Sequence, residues 1–484
     1  MKKWRGFRAL ALSGVMVMVF LLAACRSENS PAVTDTMVHL IGGEHTYTII
    51  YDKDFGKNEV SACEALNERL GGSLVLTADQ DENGGETAGG EYEILLGMTN
   101  RPESAALGEG LGRFDYRIAI EKEKLVVVGG SEEAFINAIA LLVRGEDISA
   151  EGTIARDYNF YFDGADTRDE YIANPDLFLC NWALKFDVPE WMTDFEEKIA
   201  AFADTDGRMM SSIHRSDSLN YPENSIEGVI SAMKMGADNI EIDVRLTSDG
   251  VAVLMHDESL KRTTDWIDKA GKNGLPESEK LSDWTFEQLR QLRLTAKSGD
   301  DNEYLIPTLK EVLQVCNERT TVRLDKFDVW DWDKDIYPLI QETGAWRTCI
   351  LSEFFSLAKR QEIVRTIKED SGKDVLMFQT FSHSKSEEWE VLKDTLNEKG
   401  CQFIAIWRDP DVKYIKRYVR QVQENLIQVK DDTRIYMFAH TLFGGTEDAE
   451  SWDYLYENGI DFVVADIALE IQKYIAENFE PTPY

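Results

Sequence analysis

From Met209 to the C-terminus, short runs rich in apolar and β-branched residues recur with amphipathic, helix-forming stretches between them. The runs cover 209–214, 239–244, 251–256, 321–325, 348–354, 375–381, 402–407, 434–440 and 461–465. When a helix intervenes between two strands of one sheet, it carries the chain back over the sheet face, and the strands pair in parallel. The pattern predicts an α/β fold: a TIM (β/α)8 barrel over residues 206–484 with one extra strand pair. An open doubly wound sheet is the alternative that the same alternation allows.

Residues 46–162 alternate on a smaller scale, with strands near 46–51, 73–76 and 92–96, a hairpin-like pair at 115–120 and 124–128, and helices near 59–70 and 131–144. A small accessory α/β domain over 45–165 is expected from this spacing. The segment 92–102 and the run Val126-Val127-Val128-Gly129-Gly130 resemble the accessory domain found ahead of some glycoside-hydrolase barrels. A spacer role is favoured for it over a carbohydrate-binding one. Residues 166–205, with Trp182 and Trp191, read as a connector packed on the next domain, the alternative being a sugar-stacking platform.

The N-terminus carries Lys2, Lys3, Arg5 and Arg8 without an acid, followed by an apolar run over 9–24 that is short for a bilayer span. The run ends Leu22-Ala23-Ala24-Cys25, ahead of polar residues. This resembles a bacterial lipoprotein signal. The resemblance implies a signal peptide over 1–24, lipidation of Cys25, a tether over 25–44 and an extracytoplasmic protein lipid-anchored to the bacterial cell membrane. An uncleaved anchor helix is the competing reading. Of the six cysteines, the other five are scattered without a C-x-x-C pair, which argues against a disulfide framework or a zinc site.

The chain of 484 residues has 52 Lys+Arg against 88 Asp+Glu, a net charge of −36. Without residues 1–24 the count is 48 against 88, a net −40. Nucleic-acid binding is excluded as a principal function, because its affinity comes mainly from cations set against backbone phosphates. Any anionic ligand needs a locally concentrated positive charge.

Four of the six histidines, His214, His256, His383 and His440, stand at or just past the C-terminal ends of predicted strands. In a barrel these ends converge on the face where such folds do chemistry. Glu241 and Asp243 are two apart on one strand and therefore point to the same side. Their mutual repulsion is relieved by a divalent cation, and oxygen ligation suits Ca²⁺ or Mg²⁺.

The order of motifs is specific. His214-Arg215 is followed by Pro222-Glu223-Asn224, Gly236-Ala237-Asp238, Glu241-Ile242-Asp243-Val244, Thr247-Ser248-Asp249-Gly250-Val251, His256-Asp257 and Leu260-Lys261-Arg262-Thr263-Thr264. Downstream come Ile306-Pro307-Thr308-Leu309 and Ile460-Asp461-Phe462-Val463-Val464-Ala465-Asp466. Over roughly 209–475 the sequence resembles the glycerophosphodiester phosphodiesterase family. The resemblance implies a metal-dependent enzyme that cleaves a small phosphodiester into glycerol phosphate and an alcohol, the glycerol hydroxyl attacking phosphorus before water completes the hydrolysis. By position, His214 and His256 become the acid–base pair, Glu241 and Asp243 metal ligands, and Arg215 a phosphate contact. Glu223 is expected near the metal site, ordering the substrate-binding loop, with a metal-ligand role as the alternative.

Two departures stand out. Ser216 occupies a position that is usually Gly in the family. The later metal-binding strand reads Val322-Arg323-Leu324-Asp325-Lys326 where Glu-x-Lys is usual. Asp325 is expected as the third ligand. Because strand side chains alternate, Asp325 and Lys326 cannot both face the site unless a bulge intervenes, so either Arg323 or Lys326 meets the phosphate. His383, His440, Trp407, Trp330 and Trp332 are expected to line or pack the rim. The alcohol is left open and includes polymers of the cell envelope. Two rivals are a catalytically weak barrel that binds such ligands, and a metal-independent glycoside hydrolase.

Overall fold

A computed structural model of the chain describes residues 36–81, 84–145, 147–165, 167–180, 195–201, 208–295, 304–326, 328–350, 357–373, 378–380, 403–405, 438–440, 447–457 and 462–479. Cys25, Trp182, Trp191, His383 and Trp407 lie outside these residues.

The strands in chain order are β1 (Met37–His39), β2 (Thr48–Tyr51), β3 (Val75–Ala78), β4 (Glu93–Leu96), β5 (Tyr116–Glu121), β6 (Lys124–Gly129), β7 (Thr153–Ala155) and β8 (Asn159–Phe162). They continue with β9 (Met210–His214), β10 (Asn239–Leu246), β11 (Ala252–Leu254), β12 (Thr321–Asp325), β13 (Cys349–Ile350), β14 (Phe378–Thr380), β15 (Phe403–Ala405), β16 (Phe438–His440) and β17 (Phe462–Ala465).

The first eight build a mixed sheet in the order β3-β2-β4-β6-β5-β8, with β1 paired to β7 beside it. The helices Lys57–Arg69 and Glu132–Arg144 bury their apolar faces in this part of the molecule, around Leu66, Phe135 and Ile139. Ser131 caps the second helix through its side-chain oxygen.

The second sheet runs β13-β12-β10-β9-β17-β16, every neighbour parallel, with β11 antiparallel on β10. A separate parallel pair joins β14 to β15. The nine runs of the sequence thus resolve, among the described residues, into eight strands with parallel neighbours and one antiparallel return strand. The last strand, β17, pairs with the first, β9. Strands β9, β10, β12, β13 and β17 are buried for most of their length, as strands of a helix-covered sheet are.

A connector helix, Arg168–Ala173, is pinned to this second core by a buried cluster. Arg168 pairs with Glu227 at 3.0 Å and lies 3.6 Å from Glu311, and Tyr171 donates to Glu227 at 2.5 Å. Among the described residues no helix is long and apolar enough to cross a membrane.

The backbone turns sharply after β9. Arg215 and Ser216 have φ values of 54° and 70°, in the left-handed region that L residues adopt at a cost. Ser216 is fully buried, and its hydroxyl has no hydrogen-bond partner among the described residues. The turn therefore carries backbone strain and an unpaired buried hydroxyl at the residue where glycine would carry neither. Ser216→Gly is expected to raise stability by about 1 kcal/mol, measured by urea unfolding of the full-length protein; an unchanged or lowered midpoint means that the hydroxyl is satisfied in solution.

Candidate active site

Parallel register sets the site. Glu241 of β10 stands level with His214 of β9 on one side and Arg323 of β12 on the other, and Asp243 stands level with Asp325. The two-residue period of a strand then puts Glu241, Asp243, Arg323 and Asp325 on one face, at the C-terminal end of the sheet. Glu241 and Asp243 are each only 1% exposed. One carboxylate oxygen from each of Glu241, Asp243 and Asp325 lies within 4.8 Å of the others. Burial, followed by the charge of Asp243, pushes the Glu241 carboxyl above its usual range. An oxygen-only cluster of mutually repelling carboxylates fits a hard divalent cation.

Three side-chain cations surround the cluster. Lys326 Nζ lies 3.1 Å from Asp243 Oδ1 and 3.5 Å from Asp325 Oδ2. Arg215 Nε is 3.4 Å from Asp243 Oδ2, and Arg323 Nη2 is 3.9 Å from Glu241 Oε1. Burial raises the Asp325 carboxyl, but Arg323 and Lys326 outweigh it and hold the group below the usual range.

The choice between Arg323 and Lys326 that strand alternation imposes does not arise in the structure. β12 ends at Asp325, and Lys326 takes a φ of 63°, leaving the pleat for a left-handed turn. Its side chain swings back over the carboxylates instead of pointing away from them. Trp330 fixes this turn by donating its indole N–H to the Asp325 carbonyl at 3.2 Å. Trp332 is buried in the core.

His256 reaches the site by a route that sequence spacing does not reveal. It follows β11, which runs antiparallel to β10, so it does not stand at the end of a parallel strand. The chain passes Asp243, turns through 247–250, and returns until Met255 N donates to the Asp243 carbonyl at 2.9 Å. His256 therefore comes back to the level of the carboxylates, and its own carbonyl accepts from Arg245 at 2.7 and 2.9 Å.

Each histidine is oriented by a carboxylate at Nδ1. His214 Nδ1 meets Asp466 Oδ1 at 2.8 Å, and His256 Nδ1 meets Asp257 Oδ1 at 2.5 Å. A carboxylate there assigns the ring hydrogen to Nδ1 and leaves Nε2 for proton exchange. His214 Nε2 lies 3.9 Å from Glu241 Oε2. Glu223 accepts from Arg215 at 3.3 Å and from both terminal nitrogens of Arg262 at 2.7 Å. Burial raises its carboxyl, and these two arginines more than reverse that.

The residues expected from sequence are thus gathered: His214, Arg215, Glu223, Glu241, Asp243, Arg323, Asp325 and Lys326 directly, and His256 through Asp257 and Arg262. His440 ends β16. Four partners carry no assigned role in the sequence reading, although their motifs are visible in it. They are Asn224, whose amide donates to Asp243 Oδ2 at 2.8 Å while its oxygen accepts from Asp243 N at 3.0 Å, Asp257, Arg262 and Asp466. Adjacency to a histidine hints at Asp257; no local signal marks Asp466, 252 residues from His214.

Comparison with known proteins bears on the same segment. "Glycerophosphodiester phosphodiesterase 1" of Mus musculus is 41% identical over 112 residues, covering 22% of this chain and 30% of that protein. "Glycerophosphodiester phosphodiesterase" of Caldanaerobacter subterraneus subsp. tengcongensis is 40% identical over 107 residues, covering 22% of this chain and 40% of that one. The chain thus spans well under half the length of these relatives. A solved structure of a glycerophosphoryl diester phosphodiesterase from Parabacteroides distasonis aligns over 60% of this chain and 93% of its own, at 23% identity and a TM-score of 0.44. Residues 214–398, which begin at the first site histidine, match the Glycerophosphoryl diester phosphodiesterase family.

Proposed function

We propose that the chain hydrolyses glycerophosphodiesters to glycerol phosphate and an alcohol with the help of a divalent cation. The observation that carries this reading is the convergence of three carboxylates and three cations on one face, with two histidines that each have Nδ1 held by a carboxylate. The family match over 214–398 supports it.

A phosphodiester is a poor electrophile until its charge is offset. Glu241, Asp243 and Asp325 would hold Ca²⁺ or Mg²⁺, which when bound supplies positive charge to the phosphate and lowers the repulsion met by an incoming oxygen. Arg215, Arg323 and Lys326 complete that neutralisation from the protein side. His214 and His256 form the acid–base pair: one imidazole takes the proton of the attacking hydroxyl, and the other gives a proton to the departing alkoxide. Glu223 keeps Arg215 extended toward the phosphate.

The architecture proposed around this site is a closed (β/α)8 barrel over 206–484, supported by the pairing of the last strand with the first. The 45–165 unit acts as a spacer, joined through 166–205. A lipid on Cys25 and a tether over 25–44 would hold the enzyme at the outer face of the cell membrane, a reading supported by the basic start and the apolar run of residues 1–24.

The direct test is a panel of glycerophosphodiesters carrying choline, ethanolamine, glycerol or inositol, assayed with the full-length protein. Turnover is expected with metal and lost in chelator, and His214→Ala is expected to lower kcat by at least about 100-fold. Turnover that survives either treatment, or no turnover of any member, overturns the reading. Arg323→Ala and Lys326→Ala, assayed separately, are each expected to lower kcat/KM by about 10- to 1000-fold. A variant with unchanged kcat/KM removes that residue from the phosphate site.

The raised Glu241 carboxyl gives a pH signature. The folded, metal-free protein keeps a proton there above the ordinary glutamate value of about 4.3. This group's contribution to stability is therefore present at low pH and is lost as pH rises through the folded value. Metal binding, which needs the ionised form, should release a fraction of a proton at about pH 6 and less at higher pH. Calorimetric titration of metal in buffers of different ionisation enthalpy measures this; release that does not vary with pH counts against a protonated carboxyl.

A further inference from the structure

A line of alternating charges joins the loop that follows His214 to the loop that follows β11. Arg262 places Nη1 and Nη2 on the two carboxylate oxygens of Glu223, each at 2.7 Å, and Nε on Asp257 Oδ2 at 2.5 Å. Glu223 in turn accepts from Arg215, and the other oxygen of Asp257 meets His256 Nδ1. The sequence His256–Asp257–Arg262–Glu223–Arg215 is thus a continuous hydrogen-bonded path between the proposed acid–base residue and the proposed phosphate contact.

Two features separate this link from an ordinary surface ion pair. The Arg262 side chain is 46% exposed, and exposed ion pairs stabilise a fold little. Yet three of its donors engage two carboxylates from different loops, using the fixed planar fork that only a guanidinium offers. Moreover, the carboxylates it holds are the ones that contact His256 and Arg215. Asp257 meets His256 at Nδ1, Glu223 lies within reach of its charge, Arg245 meets its carbonyl, and Arg262 acts on it through the other oxygen of Asp257.

We propose that Arg262 is a positioning residue of the phosphodiesterase reaction: it aims Asp257 at His256 so that Nε2 faces the substrate, and locks Glu223 and Arg215 into the same frame. The inference rests on the proposed function for the reaction but on geometry alone for the link. With Arg262 in place, Asp257 keeps its carboxylate orientation and its charge is partly balanced. Without it, Asp257 is free to turn away from Nδ1, and the ring loses the partner that fixes its tautomer.

The test uses full-length protein carrying ¹⁵N-histidine, as wild type, Arg262→Ala and Arg262→Lys, with His256→Gln to assign the His256 ring resonances. In Arg262→Ala the His256 ring is expected to show mixed tautomers in place of Nδ1–H. Arg262→Lys, which keeps the charge but not the fork, should leave the tautomers mixed as well. In the assay, kcat of Arg262→Ala should fall about 10- to 100-fold. A tautomer unchanged in Arg262→Ala, in a protein whose unfolding transition is intact, overturns the proposal. If the wild type turns over no phosphodiester, the reaction is wrong and the resonances still decide the link.

Discussion

The repulsion between Glu241 and Asp243 organises this site. Two carboxylates two residues apart on a buried strand cannot both stay ionised without compensation, since taking each out of water costs several kcal/mol. The fold answers with a ring of positive groups and amide donors. Lys326, Arg215 and Arg323 approach the cluster, Asn224 bonds Asp243 from two sides, and the backbone N–H of Arg215 donates to Glu241 at 3.1 Å. Three of these residues, Arg215, Asn224 and Lys326, take positive φ to do so. Backbone strain in this region is thus the local cost of bringing donors onto buried acids.

What the sequence disclosed follows from which rules are local. A period of two suffices to place Glu241 and Asp243 on one face, and parallel register then brings His214, Arg323 and Asp325 to them. The alternation of strands and helices likewise exposes the parallel sheet, and the 45–162 region reads as strands and helices close to those observed. Lys326 is harder, because alternation assumes that the strand continues, whereas the chain leaves the pleat one residue earlier. The return of β11 is harder still, since an antiparallel hairpin and a parallel strand share the same apolar pattern. Pairings such as His214 with Asp466 depend on the closing order of strands and have no local signal.

Net charge misleads if taken over the whole chain. A balance of −36 opposes any anionic ligand at long range, but within the site three carboxylates meet three side-chain cations. Screening shortens the reach of the surface acids to about 8 Å at physiological salt, so the local balance decides what binds. The surplus acid elsewhere instead keeps the surface well solvated.

The pairing of β17 with β9 has a consequence for the order in which the molecule is made. A chain synthesised from its N-terminus completes the first sheet, β1 to β8, long before β17 is made to pair with β9. His214 emerges early among the residues of the second sheet, but its partner Asp466 comes 252 residues later. Until that stretch arrives, β9 has an open edge and its histidine has no carboxylate to orient it. The orientation of His214 is therefore set only after Glu241, Asp243 and Asp325 are already in the chain.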